Sequence, residues 1–335
     1  MKIQNPETNQ LPQGIEINDI KLAVDSSGYP LQTIIAQKLL DKDFMIQDEW
    51  SYVDSQSNSL RTMDIVAQKM LWNLEKYQPR IRPELNLLIE CKQSNLPYIF
   101  FLNNTKPIRY EFPIIAGVPH EEITISSNDT ISTYINPVYA TLGLEAEAFF
   151  RETPEFCSTF SKCSRRGKNI ELSGSDAYNG LVLPLIKATQ YFESSQKSKS
   201  SAVYHDAHLT IPLGIVDAPM FGVRVLEKGN ELFPLPWVRV LKHESFENNE
   251  AYNNQKLYAL DVVHKDYFDT YMNEHLIPFA KVFSERVHKH EKVLLAGKGF
   301  IRDMESQWPP SLEERLEVKS FIKRTSNLIP KLLKK

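Results

Sequence analysis

Three residues stand out because their types and spacing could support chemistry on a phosphate. Asp64 lies in the segment RTMDIVA, and Glu90 and Lys92 lie two residues apart in LLIECKQS. Carboxylate oxygens are ligands that Mg²⁺ prefers, and the ion keeps several waters when it binds them. A bound metal ion lowers the pKa of such a water and stabilises charge on a phosphate. Asp64 and Glu90 are therefore candidate metal ligands, and Lys92 is a candidate for holding the attacking water or stabilising the transition state.

The segments around these residues have the composition of β-strands. Residues 44–54, 60–69 and 85–94 are rich in β-branched, aromatic and other apolar residues, which predicts three strands in succession. Side chains at positions i and i+2 of a strand point to the same face, so we expect Glu90 and Lys92 to share one. If the second and third strands are neighbours in a sheet, Asp64 reaches the same region.

Simpler explanations exist for each of these residues. Asp64 could be an ordinary carboxylate at a strand end, and Glu90 and Lys92 could form an ion pair on a solvated strand face. Their neighbours in the chain are apolar, however, and a charged residue in such a run is rarely buried unless it is paired or functional. The sequence therefore favours a functional role for all three.

The rest of the chain predicts further elements around these strands. A helix follows Gly28 and Pro30, and its apolar residues fall on one face: Leu31, Ile34, Ile35, Leu39 and Leu40. Apolar segments predict a helix at 176–193, a strand at 210–218, strands in WVRVL and LYALDVVH, and a helix at about 266–290. We divide the chain into a polar segment at 1–20, one large domain at 21–300 with an insertion at about 103–173, and a basic tail at 301–335.

This order of elements resembles a known family. A helix opening at Gly28, a strand, Asp64 in a second strand and Glu90-x-Lys92 in a third are similar to the PD-(D/E)XK nuclease superfamily, most of all to archaeal Holliday-junction resolvases and Mrr-like restriction endonucleases. The similarity covers residues 25–102, and the helix at 176–193 and the strand at 210–218 would complete the family core.

The resemblance implies both a fold and an activity. The fold is an α/β, restriction-endonuclease-like αβββαβ core with a mixed central sheet, here with an insertion and a helical C-terminal part. The activity is that of a Mg²⁺-dependent (or Mn²⁺-dependent) endonuclease that hydrolyses DNA, with Asp64, Glu90 and Lys92 as its site. An enzyme that acts on RNA or on a small phosphorylated molecule is an alternative. A role in restriction, phage defence or DNA repair also follows only from the resemblance.

One position departs from the family pattern. Members of the family often carry a glutamate four residues after the glycine, where this chain has Gln32, which offers a carbonyl oxygen but no charge. Glu49 on the first strand could supply the missing acid, and Gln93 could border the site. The departure keeps an alternative open, in which the chain is a catalytically inactive nuclease-fold module that binds nucleic acid or protein.

The charge balance locates possible contacts with nucleic acid. The formal net charge is −3, so binding to phosphates must depend on local basic patches rather than on the whole surface. One patch comprises Lys162, Arg165, Arg166 and Lys168, which would grip phosphates beside the site or form a solvated loop. The basic, amphipathic tail could dock on the body of the protein, on a second copy in a homodimer or on another partner.

Cysteine usage and the apolar runs suggest a compartment. The chain has three cysteines, a sparse and odd count that does not indicate a disulfide framework. The first residues are polar and lack the apolar core of a secretion signal. No apolar run approaches the ~20 residues that span a bilayer. We therefore expect a cytoplasmic protein with reduced thiols and no membrane contact.

Overall fold

A mixed sheet of twelve strands runs through the part of the chain that the structure describes. The computed structural model describes residues 3–73, 78–107, 110–127, 133–151, 154–199, 201–245, 255–301 and 312–318. A smaller sheet of three strands accompanies the large one, and helices cover both faces of the large sheet around its central strands. The chain is a mixed α/β protein.

The two sheets are built from fifteen strands within the described residues. They are β1 (Met45–Val53), β2 (Leu60–Met70), β3 (Ile81–Gln93), β4 (Tyr98–Leu102), β5 (Ile114–Ala116), β6 (Glu122–Ser127), β7 (Thr133–Pro137), β8 (Phe156–Arg166), β9 (Asn169–Ser173), β10 (His205–Asp217), β11 (Met220–Leu226), β12 (Gly229–Pro234), β13 (Trp237–Ser245), β14 (Gln255–His264) and β15 (Lys298–Ile301).

The helices differ widely in length. They are α1 (Ile17–Ser26), α2 (Tyr29–Leu40), α3 (Val138–Thr141), α4 (Ala148–Arg151), α5 (Gly174–Ala177), α6 (Leu183–Ser195), α7 (Phe268–Thr270), α8 (Ile277–Lys289), α9 (Glu291–Ala296) and α10 (Leu312–Arg315). A π-helical turn, Tyr178–Val182, joins α5 to α6, and a second one, Tyr271–Leu276, joins α7 to α8. Both joints place a long helix directly after a short one.

The strand order places β3 and β10 side by side within the large sheet. The order is β1-β2-β3-β10-β14-β13-β8-β4-β11-β12, with β5 paired to β10 and β9 paired to β8. Strands β1, β2 and β3 form an antiparallel meander, whereas β10 pairs with β3 in parallel along the whole of both strands. A parallel pair needs a crossover connection, and α6 is the helix that precedes β10.

Alternating side chains divide the core into two layers. Leu87 and Ile89 of β3 face the layer that contains α2 and α8, and Leu88 faces the layer that contains α6. Because neighbouring strand residues point to opposite faces, Glu90 and Lys92 share the α6 face with Leu88. The expectation that these two side chains share a face is confirmed.

The predicted strands of the meander are confirmed, with one shifted boundary. The strands predicted at 44–54 and 60–69 match β1 and β2 closely, but β3 begins at Ile81 rather than at residue 85. The expected apolar face of α2 is wrong for two residues, because Ile34 and Leu40 are about half exposed. Leu31, Ile35 and Leu39 are buried against the sheet, as expected.

Residues 103–173 consist mainly of strands, with only short helical turns between them. Strand β8 pairs with both β4 and β13, and β5 pairs with β10, so this part of the chain extends the large sheet. Its helical part consists of α3, a 3₁₀ turn at Leu144–Ala146 and α4. The predicted helix at 176–193 and the predicted strand at 210–218 are confirmed by α6 and β10.

Among the described residues, no helix combines the length and the apolar character needed to cross a bilayer. Of the predicted basic tail, residues 301 and 312–318 are described, and the rest lies outside the described residues. The described part of the tail contains α10 and a backbone bridge between Phe300 and Glu317, which joins it to β15.

Candidate functional site

Strands β2 and β3 separate at Asp64. Their pairing ends at Ile65 and Ile89, whereas β2 stays paired with β1 beyond that point. The carboxylate of Asp64 fills the gap, because its Oδ2 accepts a hydrogen bond of 2.7 Å from the backbone N–H of Cys91. We call this place, where the two strands part, the fork. It holds one carboxylate in a fixed orientation against the neighbouring strand.

Glu90 lies at the same fork and is only 6% exposed. Its Oε1 accepts a hydrogen bond of 2.5 Å from Lys92 Nζ. Its Oε2 is buried and has no hydrogen-bond partner among the described residues. A buried polar atom without a partner carries most of its desolvation penalty, so such atoms are rare in folded proteins. This oxygen is therefore well suited to bind a water molecule or a cation.

Helix α2 and strand β1 add two more residues to the fork. Gln32 Nε2 donates to the backbone oxygen of Asp64 at 2.8 Å and to Glu49 Oε1 at 3.1 Å. The structure thus brings both of these candidate residues next to Asp64. Gln32 makes these contacts through its amide nitrogen, which gives it the geometry of a positioning residue.

Glu49 has an unusual backbone. Its φ is +50°, and it lies on β1 between the paired positions Asp48–Ile65 and Trp50–Met63. A residue other than glycine in this left-handed region costs on the order of 1–3 kcal/mol and persists only where its surroundings hold it there. The irregularity lies next to Asp64, and the hydrogen bond from Gln32 is one of the contacts that hold it.

The two acids of the fork resist ionisation. Burial raises the pKa of Glu90 to about 7, against the attraction of Lys92, and the nearby Asp64 raises it further. Burial also raises the pKa of Asp64, although the N–H of Cys91 and the charge of Lys92 lower it. A cation bound between the two carboxylates would favour the ionised form of both.

Lys92 keeps its proton. Burial lowers the pKa of its ammonium group, but the charge of Glu90 and the hydrogen bond to it outweigh burial, and the pKa lies above its ordinary value. A lysine ammonium has three N–H donors, and Glu90 takes one of them. The remaining donors make Lys92 suitable for contact with an anionic oxygen.

The residues of the fork fit a divalent ion that retains water. Asp64 Oδ1 and Glu90 Oε2 accept no hydrogen bond from the described residues. No group of three or more His, Cys, Asp or Glu side chains within the described ranges is placed to hold a metal. Mg²⁺ is commonly bound through one or two carboxylates and several waters, so two acids at the fork are compatible with it.

Comparison with known proteins gives no match. The chain matches no protein-family model, no curated protein and no solved structure. Inferences about its activity therefore rest on the residues of the fork and on the elements that hold them.

The other candidate residues lie apart from the fork. Gln93 points to the opposite face of β3 from Lys92, and its Nε2 donates to the backbone oxygen of Asp25. The basic residues predicted to bind nucleic acid form a hairpin of β8 and β9 rather than a loop. We call it the basic hairpin; it carries Lys162, Arg165, Arg166 and Lys168, of which the last three are exposed.

The basic hairpin begins near the end of β3 that carries the fork. Lys162 pairs with Tyr98 across β8 and β4, and its ammonium lies 5.9 Å from the centre of the Tyr98 ring. Tyr98 follows Lys92 by six positions, so the two Cα atoms are at most about 22 Å apart. Because Lys162 lies one strand spacing of about 5 Å from Tyr98, the base of the hairpin is within about 27 Å of Lys92.

Gly214 contributes to the site although the sequence analysis passed over it. It is the residue of β10 that pairs with Glu90. A Cβ atom at this position would lie 2.8 Å from Leu181 Cδ1, in the π-helical turn before α6. The absence of a side chain thus lets this turn pack close to Glu90. A glycine inside an apolar strand is the sequence signal for such a close approach.

Proposed function

We propose that this chain is a metal-dependent nuclease that hydrolyses phosphodiester bonds of DNA. The observation that carries the proposal is the buried, unpartnered Oε2 of Glu90, held beside the oriented carboxylate of Asp64 and the ammonium of Lys92. The order α2–β1–β2–β3–α6–β10 supports it, because this helix-strand sequence is the one expected for a restriction-endonuclease-like core.

Each residue of the fork has a role in this proposal. Asp64 and Glu90 hold Mg²⁺ or Mn²⁺, which when bound would lower the pKa of a coordinated water and stabilise charge on the phosphate. Lys92 donates a hydrogen bond to the attacking water or to a phosphate oxygen. Gln32 fixes the backbone at Asp64, and the N–H of Cys91 fixes its carboxylate.

The basic hairpin would hold the substrate beyond the cleaved bond. Arg165, Arg166 and Lys168 are exposed and extend the positive charge of the hairpin beyond Lys162. Contacts of arginine and lysine with phosphates fix the register of a nucleic acid without reading its sequence. A locally basic surface of this kind is compatible with the net charge of −3 for the whole chain.

The proposal is tested by cleavage of supercoiled plasmid DNA in Mg²⁺ or Mn²⁺. We expect wild-type protein to cut, and Asp64→Ala and Lys92→Ala to abolish cutting. Glu84→Ala and Lys69→Ala are matched controls, because they remove an acid from β3 and a lysine from β2 at the end of the two strands opposite the fork. Both controls should cut at a rate close to that of the wild type.

Metal binding gives a second readout that does not depend on cleavage. Calorimetric titration with Mn²⁺ should show one site that is lost in Asp64→Ala and in Glu90→Gln. If the wild type neither cuts DNA nor binds Mn²⁺, the chain is instead a binding module built on a nuclease-like fold. If it binds Mn²⁺ and cuts RNA but not DNA, the substrate class in the proposal is wrong.

A further inference from the structure

A cavity of 180 Å³ lies apart from the fork. Aromatic side chains form its walls: Tyr110, Phe112, Tyr139, Phe150 and Phe156. Phe156 pairs with Arg239 of β13, which is the third strand from β3 in the sheet. At about 4.8 Å for each strand, Arg239 lies about 14 Å from the strand that carries Glu90. The cavity is therefore a separate site.

A buried ion pair holds the walls in place. Arg239 and Asp261 are both fully buried and are joined by hydrogen bonds of 2.7 and 3.0 Å. The guanidinium of Arg239 lies 4.2 Å from the ring centre of Phe112 and 5.9 Å from that of Phe156. The free-energy cost of removing two charges from water offsets most of their attraction, so a buried ion pair contributes little to stability compared with apolar packing. What it does provide here is a fixed position for the rings that line the cavity.

Three polar groups complete the lining. The hydroxyl of Tyr110 accepts a long hydrogen bond of 3.5 Å from Arg239 Nη1, which leaves its own hydrogen available to a ligand. Lys106 Nζ donates to the backbone oxygen of Arg151 at 3.0 Å and has further donors. Glu145 is exposed at the mouth and accepts no hydrogen bond from the described residues. The cavity thus offers flat apolar walls together with donors and an acceptor.

The size of the cavity restricts the ligand. The volume of 180 Å³ is smaller than the roughly 300–1,000 Å³ of pockets that enclose drug-sized molecules. A single planar ring system is therefore the largest group that it would enclose.

We propose that this cavity binds a nucleobase. The faces of a base would stack on the aromatic walls, an interaction that is worth about 1–3 kcal/mol for each base in other proteins. Its edge carries both donors and acceptors, which match the acceptor Glu145 and the donors Tyr110 and Lys106 in the lining. A free nucleotide and an unstacked base of a nucleic acid present the same chemistry to this cavity.

The test uses the full chain in EDTA, so that the fork holds no divalent ion. Saturation-transfer NMR with each of the common nucleoside monophosphates should show binding of at least one. Tyr110→Phe and Glu145→Gln should each weaken it at least fivefold, whereas Glu122→Gln, a control on β6, should not. Tyr110→Phe keeps the ring but removes an acceptor of the buried Arg239, so its thermal unfolding is measured beside binding; Glu145→Gln changes an exposed side chain and should unfold as the wild type does.

A second set of ligands distinguishes the two sources of the base. A DNA duplex with one bulged base is compared with the same duplex carrying an abasic residue at that position. Preference for the bulged base identifies nucleic acid as the source, and equal binding of the two duplexes together with nucleotide binding identifies the free nucleotide. The proposal is overturned if no nucleotide or bulged duplex binds, if the variants bind as the wild type does, or if indole competes as strongly as the nucleotides.

Discussion

The stability of the metal-free protein should depend on pH through Glu90. Burial raises the pKa of Glu90 from 4.5 to about 7 in the folded protein. Between these values the folded state holds a proton that the unfolded state releases. The contribution of Glu90 to stability is therefore most favourable at or below pH 4.5, falls as pH rises towards 7, and is fully lost above 7.

The size of this effect follows from the two pKa values. Each unit between them is worth 1.36 kcal/mol, and the interval from 4.5 to about 7 thus corresponds to about 3 kcal/mol. Glutamine has the shape of a protonated glutamate and stays neutral at every pH. Glu90→Gln should therefore stabilise the metal-free protein by about 3 kcal/mol at pH 8 and have little effect near pH 4.5.

Chemical unfolding in EDTA at pH 5 and pH 8 measures this difference. Comparison of the wild type with Glu90→Gln at each pH cancels the other titrating groups, and Glu84→Gln is a matched control on the same strand. Mg²⁺ should stabilise the wild type at pH 8 and should not stabilise Glu90→Gln. If the wild type and Glu90→Gln show the same dependence on pH, the carboxyl of Glu90 is not buried as described.

Three further predictions concern packing and substrate binding. Gly214→Ala should destabilise the protein by about 1–3 kcal/mol and slow cleavage, because the new Cβ would meet Leu181; Gly180→Ala, which has open space, is the control in thermal unfolding. Arg239→Met should cost about 3–5 kcal/mol in chemical unfolding because it leaves the buried Asp261 without its counter-charge, although Tyr271 still donates to it; Asp261→Leu in the same chain should recover part of that loss. Replacing Arg165, Arg166 and Lys168 of the basic hairpin by alanine should weaken DNA binding measured in Ca²⁺. The slope of the logarithm of the binding constant against the logarithm of the salt concentration should become shallower by up to about 0.9 for each lost phosphate contact. An unchanged slope would contradict contact with phosphates.

The local part of the fork could be predicted from sequence. The spacing of Glu90 and Lys92 determines their common face once the segment is a strand, and the apolar run around them predicts that strand. The position of Asp64 near these two residues could be predicted as well, because the meander places β2 next to β3. These inferences need only the period of the side chains and short connections between neighbouring strands.

The contacts of Gln32 and Glu49 could not be predicted in the same way. Gln32 reaches β1 and β2 from a helix, and its partner Glu49 adopts a left-handed backbone that nothing in the local sequence favours. The early start of β3 was missed because Pro83 is unusual inside a strand. It is accommodated because it lies just beyond the last β2–β3 pair, Met70 and Glu84, where the ladder needs no further N–H from β3.

The strands of residues 103–173 were missed for a different reason. Strand β8 pairs with β4, which lies about 60 residues earlier in the chain, and also with β13, which lies about 80 residues later. Whether distant strands pair depends on which strand edges are exposed after the core has formed. The composition of a short segment does not contain that information. The basic residues of β8 therefore resembled a solvated loop.

The left-handed residue in β1 also protects the molecule. Strand β1 lies at one end of the strand order of the large sheet and β12 at the other, and a regular outermost strand offers its backbone to strands of other molecules. Glu49 interrupts that row of amides and carbonyls near its middle and places a charge there. A straightened β1 would be a better template for intermolecular pairing, so the same distortion that adjoins Asp64 also opposes aggregation.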